Sequence, residues 1–136
     1  MIRLIPEKFA SRGLVILFSL LIVFHLLVLT GIIPFQMVWG GRLKDIGKMY
    51  SFEAVSIVLN LLMLGVVAVR SGLVSCRINP LVIQILLWMM VALFILNTVG
   101  NLLSINETEK LIFTPLTLML AIFCIRLALS KEKRAN

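Results

Sequence analysis

Four long apolar runs fill most of this chain: roughly Leu14–Ile33, Tyr50–Arg70, Pro80–Leu102 and Leu111–Leu129. Crossing the hydrocarbon core of a bilayer takes about 20 mainly apolar residues in a helix. Each run meets that length, and a lipid-exposed span must satisfy its backbone internally. The pattern therefore predicts an all-α membrane protein, with residues 1–136 forming one integral membrane domain. The connections are short, so consecutive spans should be antiparallel neighbours in an up-down four-helix bundle. Composition agrees: 61% of the 136 residues are hydrophobic and 14% are charged, against about 25% charged in a soluble domain.

Charge gives an expected orientation. Four spans put both termini on one side. That side holds Arg3, Lys8, Arg12, Arg70, Arg77, Arg126, Lys131, Lys133 and Arg134; the other holds Arg42, Lys44, Lys48 and Lys110. Nine basic residues against four predict cytoplasmic N- and C-termini. The net charge of +7 is spread around the span ends, which fits lipid headgroups and argues against a nucleic-acid partner. Arg3, Lys8 and Arg12 before an apolar run resemble a signal peptide, but the run is too long, and an uncleaved first span is expected.

Catalytic signatures are lacking. There is no C-x-x-C: Cys76 falls in a connection and Cys124 in the last span. Both read as plain small residues. No metal site and no cofactor is expected.

The polar residues within the spans are more informative. Polar groups in hydrocarbon are costly and turn towards a bundle interior or a cavity. His25 falls roughly 12 Å inside the outer end of span one. Glu53, Ser56 and Asn60 form one helical stripe on span two, Asn97, Gly100, Asn101 and Ser104 one on span three, and Thr114, Thr117 and Ala121 one on span four. All lie in the outer half, over nearly all-aliphatic inner halves. The expectation is an outward-facing polar cup with His25 and Asn60 at its floor and Glu53 on its wall. The connection Pro34–Met49 is partly apolar, and Gly40-Gly41 permits a sharp turn. Trp39 and Arg42 are expected to fold over the mouth, with Arg42 reaching Glu53. The candidate ligand-binding residues are thus His25, Trp39, Arg42, Glu53, Asn60, Asn97 and Asn101. Blander readings stand beside them. Glu53 near the start of its span favours the helix dipole, the asparagines act as interhelical glue, and Trp39 anchors in the headgroup layer. Asn106 with Glu109 reads as a helix cap with a reciprocal acid. Gln84 reads as glue, and Arg126 as a snorkelling cation.

The run Ile33-Pro34-Phe35-Gln36-Met37-Val38-Trp39-Gly40-Gly41-Arg42-Leu43 resembles a motif of small bacterial four-span membrane proteins with no known activity. Glu53-Ala54-Val55-Ser56-Ile57 and Asn97-Thr98-Val99-Gly100-Asn101 are similar to the same group. The resemblance implies a bacterial inner-membrane location and carries over no residue role. Three functions compete. The first is binding, or transport, of a small polar or amphipathic molecule in the cup. The second is an accessory or immunity-type protein packed on a partner membrane protein or a second copy. The third is a lipid-modifying or isomerase-like enzyme using His25 and Glu53 as acid and base. With one His and no second acid within the spans, the enzyme ranks last.

Overall fold

A computed structural model describes residues 1–130. Lys131, Lys133 and Arg134, counted in the charge asymmetry, lie outside the described residues. The described chain contains four long helices and no strands: α1 Glu7–Leu29, α2 Ile46–Arg70, α3 Pro80–Leu102 and α4 Glu107–Ala128. Each is long and apolar enough to cross a membrane. That length and character fit a multi-pass membrane protein.

Local chemistry sets the helix ends. Asp45 caps α2 by accepting from the Gly47 and Lys48 amides, Asn79 caps α3 through Leu81, and Asn106 caps α4 through Glu109. Each cap satisfies an amide that the first turn leaves free. Pro80 follows its cap at the first helical position, where it has no amide to lose. The first span departs from its expected bounds of 14–33. Its helix starts at Glu7, after Pro6, and stops at Leu29, because Gly31 at φ +79° turns the chain away although Ile32 and Ile33 are apolar.

The helices form two antiparallel hairpins, α1 with α2 and α3 with α4. α1 packs on α4 to join them, whereas α2 and α3 barely touch. The core fills the half of the bundle nearer the termini, where Leu14, Phe18, Val67, Leu87, Leu120, Cys124 and Leu127 are fully enclosed. Lipid tails are as apolar as leucine, so this contact is driven by close packing more than by exclusion of water. Gly13 allows one close approach. A Cβ there would lie 2.5 Å from Cε2 of Phe123, whose ring also meets Phe9 edge-on at 5.8 Å. Gly13→Val should cost about 1–3 kcal/mol through overpacking. It should lower the thermal midpoint of helix loss by circular dichroism more than Gly65→Val, since Gly65 faces open space.

Polar ties close the terminal end. Arg70 pairs with Glu7 at 3.1 Å and donates to the Ser130 carbonyl at 3.0 Å. Gln84 donates to the Ala128 carbonyl, which is interhelical glue between α3 and α4. Arg126 does not simply snorkel. Its Nε donates to the Ile5 carbonyl, and its guanidinium also reaches Ser130 Oγ, tying the N-terminal segment to α4.

Candidate functional site

At the opposite, loop end, the connection between α1 and α2 folds back over the bundle. Val38, Trp39, Gly40 and Arg42 roof a cavity of about 740 Å³. Three consecutive residues, Trp39 (φ +58°), Gly40 (+72°) and Gly41 (+68°), adopt the left-handed conformation. Glycine takes it without strain, but Trp39 pays for its Cβ, at about 1–2 kcal/mol. Two carboxylates hold that turn. Trp39 Nε1 donates to Glu53 Oε1 at 2.6 Å, and the Gly40 amide donates to Glu109 Oε2 at 2.8 Å. The Trp39 ring also packs on Phe52, with centroids 5.0 Å apart. Ile105 donates its amide to the Gly40 carbonyl, and Arg42 donates to the Leu103 carbonyl at 3.3 Å. The loop that begins between α1 and α2 is therefore stitched to the α3–α4 connection.

Glu53 is fully buried. Its Oε2 lies 2.6 Å from Nδ1 of His25. His25 Nε2 has no protein partner among the described residues. Glu53 thus joins α1, α2 and the loop. The helix-dipole account fails, because α2 begins at Ile46 and Glu53 lies beyond its first turn. The expected Arg42–Glu53 contact does not form either: His25 and Trp39 occupy both carboxylate oxygens, and Arg42 turns to Leu103.

Six of the seven candidate residues, His25, Trp39, Arg42, Asn60, Asn97 and Asn101, line the one cavity, with Glu53 directly behind His25 and Trp39. Asn60 is buried. Its Nδ2 donates to the Ser56 carbonyl at 2.8 Å, and its Oδ1 has no partner. Only the amide nitrogen can donate to that carbonyl, so the free atom is the acceptor. Asn101 acts as glue, donating to Thr117 Oγ1 at 3.3 Å, and Thr98 meets the same hydroxyl at 2.9 Å. Asn97 lines the cavity but is exposed.

Exposure at the cavity has a direction. The lining residues Val55 and Leu59 on α2 and Leu96 on α3 are 56%, 43% and 69% exposed. They flank the gap where α2 and α3 fail to pack. The cavity is roofed at the loop end and open sideways.

Sequence reasoning missed Glu109. Its backbone amide takes the Asn106 cap, but its side chain does not reciprocate, because Ser104 Oγ already accepts the Asn106 amide at 3.1 Å. The freed carboxylate turns inward, to the Gly40 amide and the Ser104 hydroxyl, and lines the cavity while buried. The signal was present: Ser104 stands two residues before Asn106 and satisfies the amide that a capping acid would take.

Among the described residues, no cluster of three His, Cys, Asp or Glu side chains could hold a metal ion. Comparison with known proteins finds no matching family model, no similar curated protein and no similar solved structure.

Proposed function

We propose that this protein binds a small amphipathic molecule in the cavity beneath the Trp39–Arg42 loop. What supports the reading above all is a cavity of about 740 Å³ roofed by the loop and lined by His25, Trp39, Arg42, Asn60, Asn97 and Asn101. Ligand pockets are concave, mainly apolar and carry a few placed polar groups. A purely structural space among helices would be filled by side chains. Three polar stripes turned towards one space favour a ligand over a role confined to packing on a partner. The sideways opening suits a molecule arriving from within the bilayer. The nine-to-four distribution of basic residues supports cytoplasmic termini, which would put the cavity in the outer leaflet. The loop motif supports a bacterial inner-membrane location.

Gly100 supplies the test. It lines the cavity, and a Cβ there would meet nothing within 4 Å. Gly100→Leu should fill the space without strain, and it favours the helix by about 1 kcal/mol. Native mass spectrometry of wild-type protein, extracted from its membrane in mild detergent, should show a retained small molecule. The Gly100→Leu variant should be bare and at least as heat-stable. A bare wild type, or an adduct that survives Gly100→Leu, would refute the reading.

A further inference from the structure

His25 meets the cavity at its closed side. The helices follow one another around the bundle as α2, α1, α4 and α3, so the gap between α2 and α3 lies opposite the α1–α4 contact. At that back wall Phe24 of α1 packs on Phe113 of α4, with centroids 5.0 Å apart, and meets the His25 ring edge-on at 5.6 Å. The enclosed Glu53 carboxylate holds Nδ1 of His25, which fixes the ring and leaves Nε2 over. Among the described residues, the buried polar side-chain atoms without a partner are Asn60 Oδ1 and Thr114 Oγ1. Nε2 is not one of them: it is unpartnered and still accessible, on a side chain that is 17% exposed and lines the cavity.

The charges on the lining offset one another. Apart from the His25–Glu53 pair, they are one cation, Arg42, and one anion, Glu109. Both also hold the roof, Arg42 through the Leu103 carbonyl and Glu109 through the Gly40 amide. Lys44 and Lys48 are exposed and outside the lining, and Lys110 pairs with Glu107. Ser56, Asn97 and Asn101 are uncharged and favour a head of neither sign. A charged head would cross the apolar lips of the gap, Val55 and Leu96, shed its hydration, and then meet its like charge as well as its opposite.

We infer that the ligand is an uncharged long-chain alcohol, with its hydroxyl bonded to Nε2 of His25 and its chain trailing through the α2–α3 gap into the bilayer. This rests on the binding reading above. Ring tautomer and charge decide whether Nε2 presents a lone pair or an N–H. A hydroxyl both donates and accepts, so it answers either. Entering head first, the molecule crosses the cavity to the back wall. Its chain then lies against Leu59, Leu93 and Leu96 on the way out.

Probes of one chain length separate these claims: decanol, chlorodecane, decylamine and decyl sulfate. The protein is placed in phosphatidylcholine nanodiscs after detergent exchange, and affinities are referred to the mole fraction of probe in the bilayer. Binding is followed by Trp39 fluorescence in a Trp88→Phe background. Decanol should bind about fivefold more tightly than chlorodecane, the worth of one hydrogen bond. It should bind about tenfold or more tightly than either charged probe. His25→Phe should erase the preference for decanol over chlorodecane. A second readout leaves His25 in place. It is the only histidine in the chain, so its carbethoxylation by diethyl pyrocarbonate, located by peptide mass, reports on Nε2. The decanol concentration that half-saturates the fluorescence change should halve the rate of that reaction. Equal affinity for decanol and chlorodecane, a charged probe that binds as tightly as decanol, or a His25 that decanol does not protect would each overturn the inference. So would the absence of any saturable response. A molecule retained by the wild type and expelled by Gly100→Leu would leave the binding reading standing in each of those cases.

Discussion

Replacing Glu53 by alanine should do more damage than any other single truncation in the polar half of the bundle. The carboxylate is fully enclosed, and its two oxygens serve His25 on α1 and Trp39 on the loop. Removing it leaves Trp39 Nε1 and His25 Nδ1 without their partner, at about 1–3 kcal/mol for each group left unsatisfied. Glu53→Gln should cost far less. Its carbonyl still accepts from Trp39, and its amide donates to Nδ1 once His25 carries its proton on Nε2. The order of thermal midpoints in detergent should be wild type, then Gln, then Ala well below. Trypsin should report the same order locally, cutting after Arg42 and Lys44 fastest in Glu53→Ala because the loop has lost its anchor. Alanine and glutamine variants that melt and nick alike would show that the carboxylate does not hold the loop.

The sequence made the helices legible, because four 20-residue apolar runs have few other uses. It made much of the site legible as well. The stripes on spans two and three, His25 at matching depth, and a loop with Trp39 beside two glycines were enough to bring those residues to one cavity wall. What it hid has physical causes. The end of α1 was set four residues early by a positive φ at Gly31, and hydropathy does not see backbone conformation. Glu109 was hidden by its own cap position, since the competing acceptor, Ser104, acts from outside the helix. The loose α2–α3 seam was invisible for a more general reason: an apolar face reads the same whether it meets lipid or another helix. That seam turns an outward cup into a side-opening cavity.

Gly41→Val should release the loop while leaving the helices intact. Two costs meet at this residue. Its φ of +68° lies where an L side chain pays about 1–2 kcal/mol. Its missing Cβ would lie 3.0 Å from Cγ1 of Ile105 and 3.4 Å from Cβ of Asn106, so a valine must also push the α3–α4 connection away, at about 1–3 kcal/mol. The total of about 2–5 kcal/mol falls on the contacts that tie the loop across the bundle, the Gly40–Glu109 and Ile105–Gly40 hydrogen bonds. Gly31 isolates the first cost: its φ is +79°, and nothing lies within 4 Å of its Cβ position. Gly31→Val should therefore pay the backbone strain alone, in a turn that does not touch the cavity. Tryptic cleavage after Arg42 should accelerate strongly in Gly41→Val and little in Gly31→Val, and Trp39 fluorescence in the Trp88→Phe background should shift only in the former. The fully enclosed core of Leu14, Phe18, Leu87 and Leu127 lies towards the other end, so both variants should keep wild-type helix content. Equal loop release by the two valines would mean that backbone conformation alone holds the roof, and that its contact with Ile105 and Asn106 contributes nothing.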